Sequence, residues 1–242
     1  MTDVKRLIVN ADDFGLCYET NAGIVAAHDH GIVTSTSLMV RHPGAGEAAE
    51  LAGQRPALAV GLHVDLGEWE PDVDGYGWSQ RWAVVDTDNV DAVAAEVDAQ
   101  LTRFVALTGH FPTHLDGHQH VQRDGAGAQV LQALASTLGV SLRLHDSRIV
   151  YRGDFYGQAN RGVAHPHGIS VENLISVLAS LQDGWAEMAC HPGIGVPVTV
   201  SSYATERDVE LAVLCNPAVR AAVDAHAVTL ASFADLTGAP PR

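Results

Sequence analysis

Residues 6–15 read RLIVNADDFG, an apolar strand that runs directly into polar and acidic residues. A helix is predicted over residues 20–30, because the spacing is helical and Gly31 is a residue typical of helix ends. The next predicted strand covers residues 35–40. A strand, a helix and a second strand in this order are typical of a parallel sheet, with polar residues where the strands end.

The rest of the chain repeats this alternation, with no low-complexity linker between the units. Further strands are predicted at residues 57–66, 114–120, 141–144, 186–190 and 228–230, and further helices at residues 90–109, 131–138, 171–181 and 217–225. Residues 76–82 are predicted to form a long aromatic loop. The 242 residues, 47% of them hydrophobic, can fill one α/β barrel. We therefore predict a single domain over residues 1–242, a (β/α) barrel of mostly parallel strands.

Composition narrows the partners and the compartment. Lys and Arg number 14 against 29 Asp and Glu, a formal net charge of −15, which disfavours nucleic acids and anionic membranes and favours a neutral or cationic small substrate. No secretory signal pattern and no membrane-length apolar stretch is evident, so we expect a cytoplasmic protein. Cys17, Cys190 and Cys215 lack CxxC spacing, which argues against a disulfide framework. Homo-oligomerisation stays open.

The segment HLDGHQH at residues 114–120 is the strongest chemical signal in the sequence. On an extended strand it projects His114, Asp116, His118 and His120 from one face, which suits a metal or a wet cleft better than a core. His114 and His118 would lie roughly 13 Å apart, too far to share one ion. Only one of these histidines, or two near the strand end, can bind the ion. His118, beside Gly117 and approaching the loop, is the better placed, whereas His114 and Asp116 could support a ligand or contact substrate. The alternative is a histidine-rich surface strand.

Acidic and histidine residues also end other predicted strands. Asp12 and Asp13 follow the first strand, His63 ends the third and His191 ends a later one. In α/β barrels these ends meet at one mouth, where active sites lie. One acid can bind a divalent metal beside histidine nitrogens while the other accepts a proton from a water. The alternative for the acidic pair is helix capping. Cys190 should point away from the side that His191 enters.

Five segments together resemble the YdjC-like carbohydrate deacetylases, a family that includes chitooligosaccharide and hopanoid-biosynthesis deacetylases. They are LIVNADDFGL at 7–16, GIVTST at 31–36, GLH at 61–63, PTHLDGHQHV at 112–121 and CHP at 190–192. The resemblance implies a distorted (β/α) barrel related to polysaccharide deacetylases. It also implies a divalent metal held by Asp13, His63 and His118, with Asp12 as base, His191 as general acid and Arg143 orienting Asp12. The chain departs from the family at Gln122, where a histidine is common.

The expected activity is therefore hydrolysis of an N-acetyl group on an amino sugar or short oligosaccharide, supported by one zinc, magnesium, manganese, nickel or cobalt ion. His114, Asp116, His120 and Trp78 are expected to contact the substrate. Trp69, Tyr76, Trp78 and Trp82 could stack on sugar rings, or pack within their loop. Two other functions stay open: a barrel phosphoesterase, which usually needs basic residues near the phosphate, and a non-catalytic carbohydrate-binding relative.

Overall fold

The structure is a computed structural model that describes residues 4–72, 77–159 and 162–237. Its main sheet has eight strands, all paired in parallel. They are β1 (Lys5–Phe14), β2 (Ser35–Leu38), β3 (Ala59–Val64), β6 (His114–Gly117), β7 (Ser141–Leu142), β8 (Ile149–Arg152), β11 (Gly184–Cys190) and β12 (Val228–Ala231). The order across the sheet is β7-β6-β3-β2-β1-β11-β8, and β12 pairs with the first half of β1.

The two edge strands of this order, β7 and β8, are consecutive in the chain and are joined by residues 143–148. That connection can span at most about 25 Å, so the sheet must curl until its edges approach each other. The parallel strands and this curl confirm the predicted α/β fold as a distorted (β/α) barrel.

Helices cover the outside of the curled sheet and close a single hydrophobic core with its strands. They are α1 (Tyr18–His30), α2 (Ala45–Gly53), α3 (Val90–Thr108), α4 (Gly125–Leu138), α5 (Val171–Ser180), α6 (Thr205–Leu214), α7 (Pro217–Ala225) and α8 (Phe233–Thr237). Local signals fix several ends: the Asn89 side chain accepts hydrogen bonds from the first turn of α3, and Gly109 ends that helix at a φ of 78°. No helix within the described ranges is long and apolar enough to cross a membrane.

Two predicted elements were wrong. The predicted strand over residues 114–120 ends at Gly117, and residues His118–His120 form a 3₁₀ turn. The predicted aromatic loop over residues 76–82 contains instead β5 (Trp78–Ala83), which pairs in antiparallel fashion with β4 (Gly67–Pro71). A second short hairpin joins β9 (Gln158–Ala159) to β10 (Val163–Ala164). The β4–β5 hairpin rises from the sheet edge at which the polar residues gather.

Candidate active site

Asp12 and Asp13 lie near the end of β1, and both carboxylates enter the same buried site. Neighbouring residues on a regular strand point to opposite sides of a sheet. Asp13 breaks this alternation with a φ of 67°, and the pairing of β1 with β2 shifts register between Ala11 and Phe14. Asp is one of the residues that adopt this left-handed conformation most readily. The irregularity gives two adjacent acids two separate sets of partners.

Asp13 forms a compact group with two histidines from neighbouring strands. Its Oδ1 lies 3.3 Å from Nε2 of His63, on β3, and 3.4 Å from Nδ1 of His118, in the turn after β6. Each residue offers one ligand atom, and all three atoms lie within 4.8 Å of one another. The structure thus brings together the three residues that the family resemblance implies as metal ligands.

This group fits a divalent ion. Two atoms bound to one ion at about 2.0–2.1 Å with a tetrahedral angle between them are about 3.3 Å apart, which matches both distances from Asp13 Oδ1. That oxygen is buried and has no well-formed hydrogen bond within the described part of the chain. An unsatisfied buried carboxylate oxygen is costly, so a cation between it and the two imidazoles would remove a penalty.

Each of the two histidines has a carboxylate on its other ring nitrogen. His63 Nδ1 lies 2.8 Å from Asp116 Oδ1, and His118 Nε2 lies 2.9 Å from Glu68 Oε2, on β4. Burial by itself lowers the pKa of both imidazoles, but these carboxylates and Asp13 outweigh it and raise the pKa of His63 to about 10 and that of His118 to about 9. Metal-binding histidines commonly donate their second N–H to a carboxylate in this way.

Asp12, His63 and Asp116 form a second group whose ligand atoms lie within 4.8 Å. Arg143 already neutralises both of its carboxylates, at 2.6 Å from Asp12 Oδ2 and 2.9 Å from Asp116 Oδ2. Arg143 occupies both oxygens of Asp12 and one of Asp116. Arg207 contacts only Oδ2 of Asp13 and leaves its Oδ1 without a hydrogen bond among the described residues, so the group containing Asp13 is the better metal site.

Arg143 follows β7, and its completely buried side chain organises three acids. It contacts both oxygens of Asp12, at 2.6 and 2.7 Å, and its Nε lies 2.5 Å from Glu187 Oε1, in addition to the contact with Asp116. Burial alone raises the pKa of Asp12, yet Arg143 outweighs it and holds that pKa far below its usual value. Asp12 is therefore ionised and fixed in orientation. Burial raises the pKa of Glu187 to about 7.

His191 follows β11 and faces Asp12 from the other side of the site. Its Nε2 lies 3.8 Å from Asp12 Oδ2, and its Nδ1 lies 3.9 Å from Oε1 of the buried Glu210, on α6. Glu210 also accepts the backbone N–H of His191 at 2.5 Å. The side chains of His118 and His191 are 18% and 20% exposed, so the site opens to solvent between them. Cys190 is buried, which raises the pKa of its thiol, and its Sγ lies 3.5 Å from the Asn10 carbonyl oxygen.

Comparison with known proteins gives this chain a family. Residues 6–225 match the family model described as YdjC-like protein. The chain belongs to this family. A protein named chitooligosaccharide deacetylase from Serratia marcescens is 35% identical to this YdjC-like chain, and the match covers 96% of this chain and 99% of the relative.

Solved structures share the fold of this chain. A candidate cellobiose-phosphate cleavage protein from Enterococcus faecalis V583 has a TM-score of 0.76 at 27% identity, over 96% of this YdjC-like chain and 99% of that one. A family 4 carbohydrate esterase from Streptomyces lividans, solved with acetate, has a TM-score of 0.55 at 12% identity, over 98% and 97% of the two chains. The second likeness concerns the fold alone. The predicted family and the predicted barrel are confirmed.

Two of the residues expected to contact substrate in this YdjC-like protein are out of its reach. His114 and Asp116 have no exposed surface. His114 stacks on Phe233 with ring centroids 3.8 Å apart, and Gly61 leaves the space for its ring, because a Cβ there would overlap it. Asp116 is saturated by His63, Arg143 and Asn10. Their prediction as substrate contacts was wrong, whereas the contact of Asp116 Oδ1 with His63 Nδ1 at 2.8 Å is compatible with the alternative prediction that Asp116 supports a ligand.

His120 and Trp78 remain predicted substrate contacts. Burial, with a further contribution from Arg143, lowers the pKa of the half-buried His120 to about 4, so it is neutral. Gln122 is fully buried behind it, with Nε2 3.3 Å from His120 Nδ1. Trp78 is 60% exposed at the far end of the hairpin, opposite Pro71. Trp82 is directly opposite Glu68, so the two side chains share one face of the hairpin. Because Glu68 contacts His118, Trp82 is closer to His118 than Trp78 is.

Trp69 packs partly into the core, and Tyr76 lies outside the described residues. Four charged residues and two tyrosines at the site were not predicted from the sequence: Glu68, Glu187, Arg207, Glu210, Tyr156 and Tyr203. Arg207 and Glu210 stand three residues apart, which puts them on one face of a helix. That spacing was readable, but the partners of this face were not.

Proposed function

We propose that this protein is a metal-dependent hydrolase that removes the N-acetyl group from an acetylated amino sugar or short oligosaccharide, giving acetate and a free amine. The observation that carries the proposal is the division of labour between two adjacent acids. Asp13 turns Oδ1 toward His63 and His118, while Asp12 is held by Arg143 and lies 3.8 Å from His191. The name of the Serratia marcescens relative supports a chitooligosaccharide-like substrate.

Asp13, His63 and His118 would hold one divalent ion. One carboxylate oxygen and two imidazole nitrogens suit zinc, manganese, nickel or cobalt, and magnesium at high concentration. When bound, the ion polarises the amide carbonyl and lowers the pKa of a water molecule beside it. The remaining chemistry belongs to side chains of this chain.

Asp12 acts as the general base. It accepts a proton from the attacking water, and Arg143 keeps both of its oxygens in place while it does so. His191, in its protonated form, donates a proton to the amide nitrogen as the C–N bond breaks, because an amine is a poor leaving group until it is protonated.

Substrate contacts are proposed from the exposed surface around these groups. His120, Trp78 and Trp82 would contact the sugar, together with Tyr156, which is 38% exposed and meets the His191 ring edge-on at 5.5 Å. The net charge of −15 tolerates a cationic amino-sugar product. We also propose that residues 1–242 act as one domain in the cytoplasm.

The alternative functions have less support. A phosphoesterase needs cations that are free to bind phosphate, but Arg143 and Arg207, the arginines that contact the buried acids of the site in the described part of the chain, are already paired with those acids. A non-catalytic relative has no use for a base and an acid on opposite sides of one opening, yet Asp12 and His191 are both present there.

The proposal is tested by measuring acetate released from N-acetylglucosamine oligomers of one to five units. We expect release by the metal-loaded protein, loss of release with chelator, and recovery when zinc, manganese, nickel or cobalt is returned. His118→Ala should lose both metal and activity, whereas His226→Ala, at the end of α7 and away from the site, should keep both. A wild-type protein that binds no metal, or that binds metal and releases no acetate from any oligomer, would contradict the proposal.

A further inference from the structure

The strongest feature that the mechanism leaves unused is a buried arginine against the metal-binding acid. Arg207, near the start of α6, is 2% exposed, and its Nη2 lies 2.5 Å from Asp13 Oδ2. The two oxygens of Asp13 are therefore divided: Oδ2 accepts from the guanidinium, and Oδ1 faces His63 and His118. Asp12 is paired with a different arginine, Arg143, so each of the two adjacent acids contacts its own guanidinium.

A cation in contact with a metal ligand works against metal affinity. The guanidinium and a divalent ion would share one carboxylate in a buried site, where like charges repel strongly. A carboxylate can bind an ion through one oxygen or through both, and Arg207 occupies the second oxygen. The contact with Arg207 therefore lowers the affinity for the metal ion, but it restricts Asp13 to binding the ion through one oxygen.

The direction of the guanidinium is fixed from several sides. The Arg207 Nη1 lies 3.5 Å from the His191 carbonyl oxygen, and the Arg207 Cζ lies 5.8 Å from the centroid of the Tyr203 ring. One turn further along α6, Glu210 accepts the backbone N–H of His191. The same helix thus holds the metal-binding acid through Arg207 and the proton donor through Glu210.

We propose that Arg207 is a positioning residue that keeps Asp13 a one-oxygen ligand, so that coordination positions stay free for the water and the amide carbonyl. The inference rests on the proposed function. It differs from a purely structural role, in which Arg207 only neutralises a buried acid. Without Arg207, a structural role predicts a misplaced Asp13 and weaker metal binding. The positioning role predicts equal or tighter binding, since the repulsion is gone and Oδ2 is released.

The test compares Arg207→Gln and Arg207→Lys with the wild type, and Arg55→Gln serves as control because Arg55 pairs with Asp29 far from the site at the surface. Cobalt affinity is measured by calorimetry, kcat for an N-acetylglucosamine oligomer at saturating cobalt, and the visible spectrum of the cobalt-loaded protein. If Arg207→Gln folds only with metal, it is purified with cobalt, and affinity is read from chelator competition.

We expect Arg207→Gln to bind cobalt at least as tightly as the wild type, to lose kcat by about 100-fold, and to show a weaker visible band as the coordination number rises. Arg207→Lys keeps the positive charge but lacks the planar guanidinium, so its cobalt affinity, kcat and visible band should lie between those of Arg207→Gln and the wild type. Affinity reduced tenfold or more, unchanged kcat, or an unchanged spectrum in Arg207→Gln would each overturn the role of Arg207 while leaving the deacetylase proposal standing. A wild type that binds no cobalt would instead overturn the proposed function itself.

Discussion

Metal binding at this site should release protons, and the number can be worked out from the two histidines. The pKa of His63 is raised to about 10 and that of His118 to about 9, from an ordinary value of 6.5. Both imidazoles are therefore protonated at pH 7 when no metal is bound. Only a neutral imidazole has a lone pair for a metal ion, so each histidine must lose its proton first.

The sign and size of the pH dependence follow directly. Protons compete with the ion, so affinity falls as pH falls. With two protons displaced, the association constant should rise close to 100-fold for each pH unit between about 6 and 8, or about 1.4 kcal/mol per proton per unit. The rise should flatten as pH passes 9 and then 10, where the histidines deprotonate without help.

The assay is titration calorimetry with manganese in two buffers of different ionisation enthalpy at each pH from 6 to 8. The difference in heat between buffers gives the protons released, and we expect about two at pH 7. His226→Ala should release the same number, because it lies outside the site. An affinity that is flat over this range, with fewer than one proton released, would refute the reasoning, because the histidines would then be neutral before the metal arrives.

Three further predictions concern individual groups and the metal-free protein. Asp12→Asn should keep the metal yet lose about two to four orders of magnitude in kcat, whereas Asp13→Asn should weaken metal affinity in equilibrium dialysis; equal metal loss in both would mean that the roles are shared. His191→Ala should slow N-acetyl hydrolysis far more than hydrolysis of an activated aryl acetate, whose leaving group needs no proton; equal slowing with metal retained would make His191 a binding residue. In chelated protein, the histidines contribute stability that is complete below pH 6.5 and is lost as pH rises through 9 and 10, so the thermal midpoint should fall over that range, and a rising midpoint would contradict this.

Elements with local start and stop signals could be predicted from the sequence. The helix α3 begins after Asn89 and ends before Gly109, as the cap and the glycine indicate. The histidine strand was extended too far, because alternation of residue types does not reveal a turn. Its actual end depends on positive φ angles of 50° at Gln119 and 59° at His120, which bend the chain after His118.

The charged residues missed by the sequence share one property: each is buried or half-buried against a partner from a distant element. Charged side chains are normally exposed, so the sequence alone does not select Arg207 and Glu210 for a buried site. Both are nearly fully buried, because Asp13 and the His191 backbone meet them there. Glu68 was missed because it lies on β4, whose partner strand β5 falls largely in the segment 76–82 that was predicted to be a loop.

The charges of the site explain why it suits a divalent ion. Asp12, Asp13, Asp116 and Glu210 are buried there with Arg143 and Arg207, which leaves more acidic than basic groups even without Glu187, whose pKa burial raises to about 7. Buried charge must be compensated. Without metal, protons on His63 and His118 supply two positive charges, which is why their pKa values are raised. A divalent ion that displaces both protons brings the same two charges. The exchange of two protons for one divalent ion keeps the total buried charge constant, so the acids stay neutralised whether or not the metal is bound. A monovalent ion that displaced both protons would leave one negative charge uncompensated.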